Sequence, residues 1–184
     1  MEDWIRPDDL ASGRLISLRD YWRARRGTRP WPLRSDIDPV DIPALLPGVM
    51  LIDVETEPQR FRFRLVGTRM VEVFGQDPTG KYLDQPWHRR ETASLLAPLR
   101  RTVASAGPAA VCGIVAWDNG ASVDIEWLFL PLGNASGRVS MILAGADFFS
   151  QRLQYPEGEP RIELCRGPPR PGPGGGRRPG IAGG

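Results

Sequence analysis

The chain has 184 residues, 41% of them hydrophobic and 25% charged, a balance that suits one globular domain with appendages. Its net charge is +2, but Arg170, Arg177 and Arg178 lie in the last 18 residues, so the remainder stands at −1. A near-neutral body leaves no strong electrostatic case for nucleic acid or acidic lipid as partner, and two distant cysteines with a single histidine offer neither a disulfide framework nor a zinc cluster.

Met1 to Trp4 lack the apolar core of a signal peptide, and no segment approaches membrane-spanning length; the expectation is a cytoplasmic protein with no membrane partner. Ser17-Leu18-Arg19-Asp20 reads as a capping box that opens a helix through about Arg26, with Gly27 as its stop. Leu15, Leu18 and Trp22 form a narrow apolar stripe bordered by Tyr21 and Arg25. Such a helix ahead of a domain packs on its own domain or on a second copy, which makes Leu18, Tyr21 and Trp22 candidates for a dimer or partner interface.

Residues 29–47 are punctuated by five prolines, and Asp38-Pro39 and Asp41-Ile42-Pro43 predict two short helical turns. Val49–Glu55 reads as a strand. After the turn at Glu57-Pro58-Gln59, Phe61, Phe63 and Leu65 alternate with Arg62, Arg64 and Val66, one face core and the other exposed and basic. Met70, Val73 and Phe74 predict a short helix ended by Gly75. Arg89–Ala106 carries the longest helical pattern, with Pro98 predicting a kink or a break. Three strands follow, Ala110–Trp117, Ser122–Leu130 and Arg138–Ala146, the first two joined by the hairpin signal Asp118-Asn119-Gly120. Periodicity is lost beyond about Pro156, and 13 of the last 18 residues are Gly or Pro, a composition that predicts disorder.

This order of elements, together with Phe74-Gly75-Gln76-Asp77 and Thr79-Gly80-Lys81-Tyr82-Leu83, resembles the PAS domain. More specifically the chain is similar to short bacterial proteins made of a single PAS domain, through Tyr21-Trp22, Gly27, Pro32, Arg34, Asp36-Ile37-Asp38-Pro39, Ile42, Leu45-Leu46-Pro47, Arg64-Leu65-Val66-Gly67-Thr68, Gly75, Thr79-Gly80 and Leu130-Pro131-Leu132. The resemblance covers roughly residues 15–150. It implies an α+β fold: a PAS-like five-stranded antiparallel sheet with short helices over one face, preceded by the amphipathic N-terminal helix. The expected division is a helix and proline-rich lead-in over 1–47, the PAS domain over 48–150 and an irregular, disordered tail over 151–184.

The function implied is a non-enzymatic sensor or regulatory module in bacterial signal transduction, acting by protein–protein association (a homodimer and a signalling partner) and by small-ligand binding. Phe63, Leu65, Met70, Phe74, Trp117, Trp127 and Met141 are the cavity candidates, set against the plainer reading that they fill the core. No cofactor and no metal are expected; haem through His88, in a region where haem-binding PAS domains ligate iron, is the alternative, against a surface histidine beside Arg89 and Arg90. Cys112 lies in a strand and lacks the motif of flavin-binding relatives, so it reads as a small buried hydrophobe. Asp124 and Glu126 read as a solvated strand face rather than a catalytic carboxylate pair, and Arg62 and Arg64 as a solvated or interface face.

Overall fold

The period-two run between Val49 and Val66 folds as a hairpin of β1 (Val49–Thr56) and β2 (Gln59–Val66). It is followed by α2 (Thr68–Phe74) and α3 (Ala93–Ser105), then β3 (Ala109–Trp117), β4 (Ser122–Gly133), β5 (Val139–Phe148) and β6 (Pro160–Leu164). An N-terminal helix, α1 (Gly13–Arg26), precedes them all. This computed structural model describes residues 4–85, 93–149 and 160–164. The strands make one antiparallel sheet in the order β2-β1-β5-β4-β3-β6.

Five of these strands match the expectation; β6 does not. It falls in the stretch expected to be irregular, where Ile162 and Leu164 turn toward the core and Arg161 and Glu163 alternate with them. Five residues are too few to stand out as a period. Gly113 of β3 makes the approach of β6 possible, since a Cβ there would lie 2.8 Å from the Glu163 carbonyl oxygen. The edge of β3 is covered further along by Ile5, whose N–H donates to the Ala110 carbonyl.

Both faces of the sheet are buried, because neighbouring residues of β4 and β5 are apolar in either phase. The inner face, under α2 and α3, collects Met50, Ile52, Phe63, Trp127, Phe129 and Ile142. The outer face, under α1 and the lead-in, collects Val49, Leu51, Leu128, Leu130, Leu132 and Leu143. The sheet is thus the middle of three layers.

α1 starts earlier than expected. Ser12, not Ser17, is the N-cap: its Oγ accepts from the Leu15 N–H at 3.2 Å, while the Ser17 hydroxyl donates back to the Gly13 carbonyl. The helix sits so close to β5 that a Cβ on Gly145 would stand 2.5 Å from Leu18 Cδ2 and 2.9 Å from Leu15 Cδ2. Leu18 and Trp22 are therefore covered by the sheet of their own chain, which corrects their reading as interface residues; they are 1% and 2% exposed. Tyr21 is half-buried, and its hydroxyl donates to Asp41 Oδ2 at 3.0 Å and accepts from the Asp38 N–H at 2.8 Å.

The proline-rich lead-in forms three 3-10 turns rather than two: Arg34–Asp36, Pro39–Asp41 and Leu46–Gly48. α3 runs without a break through Pro98, whose carbonyl accepts from the Thr102 hydroxyl at 2.9 Å. α2 ends as expected, on Gly75 in the left-handed region at φ 68.

Surface carboxylates brace this layer. The Leu33 N–H, with Arg29 beside it, holds the Asp36 carboxyl below its ordinary value of 3.8, and Arg23 does the same for Asp8. Arg60 lowers Asp84, and the Thr79 hydroxyl lowers Asp77. A carboxyl whose folded value lies below its unfolded one contributes stability that is complete above the unfolded value and lost as pH falls through the folded value. The thermal midpoint is expected to be level from neutral pH to about pH 5 and to fall below about pH 4, read by circular dichroism melts. A midpoint that stays level down to about pH 2 would contradict these pairings.

Candidate functional site

The inner face is where helices and sheet enclose side chains, and five of the seven cavity candidates meet there. Phe63 comes from β2, Met70 and Phe74 from α2, Trp117 from β3 and Trp127 from β4, all buried in one cluster. Phe63 and Phe74 are tilted at 57° with centroids 6.1 Å apart, and Trp127 stacks on Phe129 at 8° and 6.1 Å.

Two candidates lie elsewhere. The register slips between Leu51 and Ile52, so that Ile52 faces Phe63 and Leu51 faces Leu65, with Arg64 as the extra residue. That bulge carries Leu65 to the outer side, where it is 44% exposed. Met141 belongs to the outer-face cluster, since β5 puts Ile142 and not Met141 inward.

Lining residues not named as candidates include Leu83, Leu95, Leu99, Phe129, Phe148 and Ile162. Phe129 shares the phase of Trp127, and Leu95 and Leu99 share a helical stripe, so both signals were present in the sequence. His88, the haem candidate, lies outside the described residues. Cys112 is buried in β3, opposite Glu126.

One polar atom on this face stands out. Trp127 is fully buried, and its indole Nε1–H has no hydrogen-bond partner among the described residues. An unpaired buried donor costs about 1–3 kcal/mol, and native interiors seldom retain one. The neighbours of Trp127 across the sheet are Val111 and Ala146, neither of which carries a side-chain acceptor.

The outer face of the hairpin is charged and internally paired. Asp53 is buried and accepts from Arg62 and Arg64, at 2.8 Å each. Arg60 makes two bonds to Asp84 and lies over the Tyr82 ring at 3.7 Å, while the Tyr82 hydroxyl donates to Glu55. Arg62 and Arg64 thus face their own carboxylate.

Glu126 departs most from its sequence reading. It is not on a solvated face but 0% exposed, and its carboxylate accepts from the Ala11 N–H at 3.0 Å and the Ser12 N–H at 2.8 Å. It grips the chain where α1 begins, where the helix dipole favours negative charge. Among the described residues no group of three or more His, Cys, Asp or Glu side chains is placed to hold a metal ion, and no helix is long and apolar enough to cross a membrane.

The chain is one antiparallel sheet with short helices closing one face over an aromatic interior, and the family its sequence matches supports a sensory or regulatory module in general. The chain belongs to the PAS domain family, whose model matches residues 11–146. Solved structures to which the chain is similar include a light-oxygen-voltage domain studied with a flavin analogue, at 12% identity and a TM-score of 0.44 over 61% of this chain and 84% of that one. Another is VqmA of Vibrio cholera in a complex with ligand and DNA, at 15% identity and a TM-score of 0.45 over 61% of this chain and 50% of that one. No curated protein matches the chain by sequence.

Proposed function

We propose that this PAS module is a non-enzymatic sensor that holds one small, largely apolar guest against the inner face of its sheet and signals by association with a protein partner, a second copy included. The observation that carries the reading is the Trp127 indole N–H, which has no partner among the described residues, amid aromatic and aliphatic side chains. A guest with a carbonyl or carboxylate oxygen supplies the acceptor this donor lacks, and its apolar body matches the lining. Association is assigned to surfaces other than the stripe of Leu15, Leu18 and Trp22, which the sheet already occupies.

Native mass spectrometry of the purified protein is the test, since it reports bound mass and oligomeric state together. A retained small molecule is expected, and Trp127→Phe, which keeps the ring and removes the donor, is expected to weaken its retention by about two- to tenfold. An unliganded mass for the wild type, from cell extract and after incubation with fatty acids and aromatic acids alike, would refute the guest. Equal retention by Trp127→Phe would refute the role of the indole.

A further inference from the structure

Glu126 on β4 and Asp147 on β5 are direct cross-strand neighbours on the outer face. Both are engaged with the residues that open α1. Glu126 takes the Ala11 and Ser12 N–H groups, and Asp147 Oδ2 takes the Ser12 hydroxyl at 2.7 Å. Two carboxylates placed opposite each other on a sheet repel, and Asp124 lies two residues along the same strand. A compensating cation among the described residues is Arg69, with Nη1 3.2 Å from Asp147 Oδ1.

Arg69 comes from the far side of the sheet. It is the second residue of α2, whose Met70, Val73 and Phe74 are buried in the inner cluster. Its guanidinium also lies 5.7 Å from the ring centre of Phe148, an inner-face residue next in sequence to Asp147. One seven-residue helix therefore bears on the inner face through three side chains and on the α1 N-cap through a fourth.

We infer that Arg69, Asp147 and Ser12 are a coupling device that reports the state of the inner face to α1; as regulation by a guest, this rests on the function proposed above. When α2 shifts, Arg69 leaves Asp147. The Asp147 side chain, 18% exposed, then has reason to turn from Glu126 toward solvent, and Ser12 loses the acceptor of its hydroxyl. The first turn of α1 loosens from the sheet, uncovering Leu128, Leu130 and Leu143. Coupling of this kind is reciprocal, so freeing Ser12 must also loosen α2.

Hydrogen exchange on the full chain tests it without a guest. Arg69→Leu is expected to speed exchange of the Leu15 and Ile16 amides by about tenfold, the loss of one charge-assisted hydrogen bond. Asp147→Ala added to Arg69→Leu should bring much less than it does alone, because both remove the one link that runs from Arg69 through Asp147 to Ser12, while the Ser12 cap on Leu15 stays in place. Faster exchange confined to α2, or full additivity of the pair, would overturn the coupling. Should Arg69→Leu not fold, Arg69→Lys keeps the charge without the planar fork and should give a smaller effect of the same pattern. Phe74→Ala and Leu99→Ala open the inner face from α2 and from α3; the first should quicken the α1 amides more, and equal effects would sink the assignment to α2. Failure of the guest proposal would appear as an empty native mass spectrum with these exchange results intact.

Discussion

Trp22→Ala is expected to destabilise the fold by about 3–5 kcal/mol, the range for truncating a buried tryptophan, and to lower the thermal midpoint by roughly 10 °C for a chain of this size. The indole is nearly enclosed, and its Nε1–H donates to the Pro131 carbonyl at 2.8 Å. That acceptor is free for a structural reason. β3 makes its last pair with β4 at Ala109 and Phe129, so Pro131 lies where this side of β4 has no strand beside it. A proline, lacking an N–H, is tolerated there, and its carbonyl is left for the indole. Urea denaturation followed by far-UV circular dichroism checks the loss. Sedimentation of the variant under native conditions should give the wild-type mass; a fall in mass with stability unchanged would instead return Trp22 to an interface.

The second large effect is expected at Glu126. Glu126→Leu strands the Ala11 and Ser12 N–H donors, each bond to a charged acceptor being worth about 1.5–3 kcal/mol, while relieving the cost of a buried carboxylate. A net loss of about 3 kcal/mol is the expected balance. Glu126→Gln retains one acceptor oxygen but sets an amide NH2 against the other donor, so a loss of about half that size is expected. Denaturation midpoints of the two variants decide it. A neutral Glu126→Leu would mean that the start of α1 finds other acceptors.

Features that act through their own chain neighbours are the ones legible in the amino-acid sequence. Gly75 ends a helix and Asp118-Asn119-Gly120 turns a hairpin by local chemistry, and the Gly120 N–H indeed closes on the Trp117 carbonyl. The PAS resemblance carries the order of strands. Leu65 is misplaced by its pattern because a one-residue bulge reverses the phase of a perfect alternation. Met141 is misplaced because β5 is buried on both sides, and its run of apolar residues leaves the phase open. Glu126 looks solvated because acids alternating with apolar residues usually are; the groups it serves are 114 and 115 positions away in the chain. The Trp127 donor is a case of absence, and absence of a partner is visible only once the surroundings are known.

The motif residues Tyr21, Trp22, Asp36, Asp38 and Pro131 all serve the outer layer: Trp22 bonds the Pro131 carbonyl of the sheet, Tyr21 ties α1 to the lead-in at Asp38 and Asp41, and the Asp36 and Asp38 carboxylates close turns of the lead-in at Leu33 and Val40. In this chain that part of the resemblance marks how the helix is seated, and the inner-face lining is drawn from other positions.

The seating of α1 over Gly145 sets an order of events during synthesis. The helix ends at Arg26, but the glycine that receives it is made 119 residues later. At ribosomal rates of about 5–20 residues per second, that interval is roughly 6–24 s. Throughout it the stripe of Leu15, Leu18 and Trp22 has no finished surface to cover it. The nascent chain therefore carries an uncovered apolar stripe early, and the later strands cover it as they emerge.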